Sequence, residues 1–241
     1  MKLFNKQRFK LQKGSRLTKY ITYALGEILL VVIGILIALW INNKQATNAD
    51  QRELDRIIAV VKSDLDKDLI EANLMLKESE KPYQLITKIL YNSKFQDSIR
   101  DCLECRYLLT QTRLPNFNSK GYELLSKFNK DVKTSNKLSD SILNFYSTYN
   151  KAFFDIQNKI ILDEVVENMK FLRNNFSWFS EFYIGTNCNS DCLDYFESSD
   201  YINRLTYYEA LFFDNFLFSI QEYRNDTQGL LEFLKTDNET I

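Results

Sequence analysis

The chain has 241 residues, with 31 Lys and Arg against 32 Asp and Glu, a formal net charge of −1 and 45% hydrophobic residues. It has no histidine, which excludes Ser-His-Asp and Cys-His catalytic sets, HExxH zinc proteases and histidine phosphoacceptors. The six glycines (Gly14, Gly26, Gly34, Gly121, Gly185 and Gly229) stand singly, so there is no Gly-rich phosphate loop and nucleotide-binding classes are disfavoured.

Residues 1–19 carry Lys2, Lys6, Arg8, Lys10, Lys13, Arg16 and Lys19 and no acidic side chain. The next stretch, 20–43, is YITYALGEILLVVIGILIALWINN, in which every residue from Ile28 to Ile41 except Gly34 is apolar. At about 1.5 Å per residue the run from Ile21 matches a hydrocarbon core of roughly 30 Å, and it shows no polar face at the helical period. It reads as one transmembrane helix. The basic flank places the N-terminus in the cytoplasm, and residues 44–241 across the membrane, in the periplasm. Leu39, Trp40, Ile41 and Asn42 offer no small-x-small cleavage site, so the segment reads as an uncleaved signal anchor of the bacterial inner membrane. Contact of the basic tail with anionic lipid is the expected role of its charge. Without those seven residues the rest of the chain carries 24 basic against 32 acidic side chains, which argues against a nucleic-acid partner.

Glu27 is the one ionisable side chain inside the span, and such a group is costly, by about 2.5–3.5 kcal/mol at a helix centre and less near an end. It either reaches the headgroup region or Lys19, or faces another helix, as acidic residues do in single-pass subunits of ion-driven complexes. Gly34 and Ala38 form a small-xxx-small pair on roughly the same face, a pattern that lets helix backbones approach.

The stretch GEILLVVIGILIALWINN, preceded by the basic segment ending KYITYAL, resembles the signature of a family of uncharacterised single-pass membrane proteins common in Bacteroidota. LPNFNSKGYELLSKFN, NKLSDSILNFYSTYN and YINRLTYYEALFFDNFLFSIQEY resemble that family's middle and C-terminal segments. The resemblance implies a fold and a location, not an activity. Two departures are local: Lys44 stands where the family has a tryptophan, and the four cysteines are not a family feature.

Beyond the span, Leu54, Ile57, Ile58, Val61, Leu65, Leu69, Ala72 and Leu76 recur at spacings of three and four, an amphipathic helix with no Gly or Pro before Pro82. Asp64, Asp66, Lys67 and Asp68 are expected on its solvated face, a calcium loop being disfavoured by the lack of a Gly turn. Pro82 is read as a restart, with Leu85, Ile86, Ile89 and Leu90 continuing to about Asn92. A loop around a short helix follows to Asn118, then a helix capped by Asn118 and Ser119. Ser135 is expected to open one long helix reaching Phe179, with room for an internal kink whose position the pattern does not fix. A loop rich in Asn, Ser and Asp precedes a last helix capped by Ser199 or Asp200, with Leu205, Tyr208, Leu211, Phe212, Asn215, Phe216, Ser219 and Tyr223 as its buried stripe. No period-2 run is long enough for a sheet. The expected fold is all-α, a transmembrane helix followed by a bundle of long helices.

The cysteines form two close pairs, Cys102 with Cys105 and Cys188 with Cys192. On an oxidising side of the membrane two disulfides are the first reading, with three connectivities open. A four-cysteine zinc site and a redox dithiol at Cys102 and Cys105 are the alternatives. The adjacent pairs Tyr207-Tyr208 and Phe212-Phe213 cannot turn both members to one side of an α-helix, so one of each is expected on an exposed apolar patch. No pair of acidic residues stands out as acid and base, and no cofactor is implied. The functional expectation is a non-enzymatic scaffold or interaction subunit, its partners being membrane lipid, other membrane or periplasmic proteins, or a second copy in a homo-oligomer. An accessory subunit of an ion-driven or transport complex acting through Glu27, and a periplasmic ligand sensor, are the alternatives.

Overall fold

The structure is a computed structural model and describes residues 16–92, 99–128 and 137–236, with side chains described from Tyr20. The tail residues Lys2, Lys6, Arg8, Lys10 and Lys13, and the helix start expected at Ser135, lie outside the described residues. Every regular element among those described is helical, as the sequence predicts.

The first helix, α1, covers Arg16–Tyr91. The chain divides into two compact units, Met1–Glu53 and Leu54–Ile241. In the first unit the apolar side chains between Ile21 and Ile41 are all exposed, and this stretch is long and apolar enough to cross a membrane. In the second unit the remainder of α1 lends one face to the core, with Leu54, Val61, Leu65, Ala72, Ile86 and Ile89 completely buried. The helix does not restart at Pro82 but runs through it. Proline there withholds one N–H, from the Glu78 carbonyl, and the burial of Met75, Ile86 and Ile89 on both sides holds the helix together across the gap.

After α1 come short 3₁₀ turns at Ile99–Asp101 and Glu104–Tyr107, then α2 (Lys120–Lys127), α3 (Lys137–Thr148) and α4 (Lys151–Asn175). The single long helix expected over this last region is two. Asn150 interrupts it by accepting a hydrogen bond from the Phe153 amide through its side chain (2.9 Å), an N-cap that starts α4 afresh. The expected loop after Trp178 contains α5 (Phe179–Tyr183) and α6 (Ser190–Phe196), the latter capped by Asn189. Ser198, one residue before the expected caps, then opens α7 (Ser199–Tyr208) by accepting from the Tyr201 amide. A wider, π-helical segment, Glu209–Leu217, leads into α8 (Phe218–Thr236).

Two carboxylates expected at the surface of α1 are buried instead. Asp68 is fully inaccessible and Asp64 nearly so, whereas Asp66 and Lys67 are exposed. The reason is α2, whose first amides need acceptors. Ser119, at its N-cap, makes no capping bond with its side chain. Asp64 accepts from the Gly121 amide (2.7 Å), and Asp68 accepts from the Asn118 amide (2.9 Å), the Asn118 side chain (2.6 Å) and the Tyr223 hydroxyl (2.7 Å). One face of α1 thus caps α2 from across the core and ties it to α8. Around Tyr223 the rings of Phe117, Phe145, Tyr149 and Phe154 pack at centroid distances of 4.4–5.6 Å, the aromatic centre of the bundle.

Candidate functional site

The four cysteines are paired locally, Cys102 with Cys105 and Cys188 with Cys192, with Cα atoms 5.3 and 5.2 Å apart. Both pairs lie within the disulfide range. A shared zinc site is not what these sulfurs form, and among the described residues no three His, Cys, Asp or Glu side chains are grouped as ligands. Cys105 is buried, and its carbonyl accepts a hydrogen bond from the fully buried Tyr201 hydroxyl, which pins the first disulfide loop to α7.

That loop forms one wall of a cleft of about 460 Å³. The second wall is α1 around Pro82, with Glu78, Ser79, Lys81 and Leu85, and the third is the end of α7 and the start of the π-helical segment, with Tyr208, Phe212 and Phe213. Each wall carries a local feature. Pro82 removes a hydrogen-bond donor from α1 without interrupting the helix, and the 102–105 disulfide constrains a short turn. In the third wall, the wider helix is marked by the Asn215 side chain donating to the carbonyl of Ala210, five residues earlier. At its start the buried Glu209 accepts a hydrogen bond from Tyr91 (2.8 Å), which links it to the end of α1.

The wider winding also changes the fate of the adjacent aromatics. Tyr207 is exposed and Tyr208 buried, as expected for neighbours on a helix, but Phe212 and Phe213 are both buried. Phe212 lies parallel to Tyr208 with ring centroids 5.3 Å apart, while Phe213 stacks on Tyr83 of α1 at 5.2 Å. A helix packed on two sides thus buries both members of the pair. With Tyr107, which stacks on Phe182, these rings give the cleft an aromatic floor.

Its rim is charged and internally paired. Lys81 bonds Glu104, and Arg113 reaches both Glu78 (2.8 Å) and Glu71 (2.9 Å). These three bridges join α1 to the segment from Glu104 to Arg113. Burial pushes the Tyr208 phenol up to about 12, against a smaller opposing pull from Thr112, so at neutral pH it faces the cleft as an uncharged hydroxyl. The cleft thus combines apolar rings with a few charged and polar groups.

In the other unit, Glu27, Gly34 and Ala38 project from one face of α1, within about 40° of one another at 3.6 residues per turn. A side chain at Gly34 would meet nothing within 4 Å, so that face is open. The sequence reading singled out this stripe and the cysteines but missed the cleft. Its signals were a proline inside an otherwise helical pattern and a pair of adjacent phenylalanines that both had to be buried.

No curated protein and no solved structure matches the chain. The model of one family, described as a family of unknown function (DUF6090), matches residues 27–215, a span that takes in the apolar stretch from Glu27, both disulfides and all three walls of the cleft. The chain belongs to that family.

Proposed function

We propose that the protein is a non-enzymatic binding and interaction subunit, held in the bacterial inner membrane by a single signal anchor and presenting its helical domain to the periplasm. The observation that carries this reading is the cleft at Pro82, where three separately constrained segments enclose a volume of about 460 Å³ with an aromatic floor and a paired, charged rim. The two local disulfides support an oxidising compartment.

Two measurements test this. A reporter active only outside the cytoplasm, fused after Ile241, should be active, and activity from a cytoplasm-only reporter there would reverse the topology. Purification in mild detergent of the wild type and of Gln111→Trp, in which an indole at the cleft mouth blocks entry, should differ in the molecules that accompany the protein. Identical companions would move the function away from the cleft.

A second reading has its own observation, the acidic Glu27 sharing one face of the exposed stretch of α1 with the small residues Gly34 and Ala38. It makes the protein an accessory subunit of an ion-driven or transport complex, docked through its membrane helix.

A further inference from the structure

We infer that the cleft takes a small zwitterion with an aromatic or branched apolar side chain, the chemistry of a free amino acid or a dipeptide. This rests on the reading that the cleft is the domain's binding site and adds the class of its ligand.

The argument begins with the sign of the rim. The cleft itself is lined by two carboxylates, Glu78 and Glu104, and two cations, Lys81 and Arg113. Two charges of each sign give a balanced mouth that favours neither a plain cation nor a plain anion. A ligand carrying one charge of each sign a few bonds apart can exchange with it, its ammonium taking a carboxylate and its carboxylate taking a cation. The Lys81–Glu104 pair is the more exposed, with side chains 68% and 58% accessible, while Arg113 is 39% accessible and its partners Glu78 and Glu71 are 54% and 26% accessible. The pair at Lys81 is wet and weak, so opening it costs little, and Arg113 trades its exposed partner Glu78 first. Arg113 is the natural carboxylate partner, because its planar fork already engages two separate carboxylates and can present two parallel N–H groups to a single one. On the opposite side Glu104 offers the ammonium its acceptor.

Beneath the charges, the floor selects for an apolar body. Tyr107, Tyr208, Phe212 and Phe213 present ring faces and edges, which suit an aromatic or branched side chain. The volume is that of a site for a small molecule, too confined for a folded partner.

The test is calorimetric titration of the full-length protein in lipid nanodiscs with three probes of one shape: L-phenylalanine, 2-phenylethylamine with only the cation, and 3-phenylpropionate with only the anion. L-Phenylalanine should bind about tenfold more tightly than either single-charge probe, the effect of one charged hydrogen-bond set. Arg113→Gln should weaken L-phenylalanine and 3-phenylpropionate but not 2-phenylethylamine, for which it releases Glu78, whereas Glu104→Gln should weaken L-phenylalanine and 2-phenylethylamine but not 3-phenylpropionate, for which it releases Lys81. Both variants replace exposed side chains, and an unaltered helical melting curve shows that each still folds. Equal binding of L-phenylalanine and one single-charge probe overturns the zwitterion inference while leaving the cleft as a binding site. Failure of all three probes also overturns it. The cleft reading then stands if Gln111→Trp still loses companions of the wild type, and falls if it does not.

Discussion

A Cβ at Gly121 would lie 2.6 Å from both the Cα and the amide nitrogen of Val61. The start of α2 thus rests directly on the backbone of α1, and this contact is what lets Asp64 and Asp68 reach the amides of Gly121 and Asn118. Gly121→Ala should lower stability by about 1–3 kcal/mol or more, because the atom that must give way is backbone and not the end of a side chain. Gly229→Ala is the control: it meets nothing within 4 Å inside α8 and should raise stability by about 0.4–1 kcal/mol. Urea unfolding followed by helical circular dichroism reads both, and equal midpoints for Gly121→Ala and the wild type would refute the contact.

Asp68 carries a second prediction, with a sign in pH. Burial holds its carboxyl above the ordinary aspartate value, outweighing the donors Asn118 and Tyr223 that pull it down, and Asp64 adds to the rise. The folded state therefore binds this proton more tightly than the unfolded chain does. Its contribution to stability is full below the unfolded value and is lost as pH rises through the raised folded one. Asp68→Ala should cost about 2–4 kcal/mol at neutral pH by leaving the Asn118 and Tyr223 donors unpaired. Asp68→Asn removes the titration, so the advantage of the wild type over this variant should widen from pH 7.5 towards pH 4.5. A difference that stays constant or narrows contradicts the assignment.

The buried carboxylates show where sequence reasoning reaches its limit. The apolar stripe of α1 was legible because Leu54, Val61, Leu65 and Ala72 keep the helical period, and all four are buried. Asp64 and Asp68 lie on that same stripe, yet charge type placed them at the surface. What overrides it is a demand from α2, distant in sequence, for acceptors at its N-terminus. The interruption at Asn150 could not be placed for the opposite reason: with no Gly or Pro to mark it, the only signal is a single Asn side chain folding back on the Phe153 amide. In the cleft, Phe212 and Phe213 were read on an α-helical period that the π-helical segment does not keep. The all-α class survives these errors because it rests on the summed pattern of many residues.

Local pairing of the cysteines predicts a definite chemical outcome. Alkylation of the unreduced protein should label no cysteine, and proteolysis should release Cys102 linked to Cys105 and Cys188 linked to Cys192. Each bridge closes a loop of only a few residues, so by loop entropy its removal should cost about 2 kcal/mol at most, too little to unfold the bundle. Cys102→Ser with Cys105→Ser should nonetheless loosen the turn that carries Glu104, and so weaken ligands held through that carboxylate. Four labelled thiols in protein taken directly from membranes would contradict the pairing and the oxidising compartment together.

The final prediction separates the anchor from the domain. Glu27 stands on one face of α1 with Gly34 and Ala38, and on the proposed reading of this stretch as a membrane span an ionised side chain there is costly unless another helix or the headgroup region receives it. If a helix receives it, Glu27→Gln should leave membrane insertion intact, since it removes only the charge, while reducing recovery of a detergent-stable assembly. Gly34→Leu should reduce it as well, by holding the backbones apart at the position where nothing now lies within 4 Å. Val32→Leu adds bulk away from that face and should have no effect. Wild-type assembly in both Glu27→Gln and Gly34→Leu would make the anchor a passive tether and leave recognition to the cleft, whereas loss in both with unchanged ligand binding would show two independent contact sites on one chain.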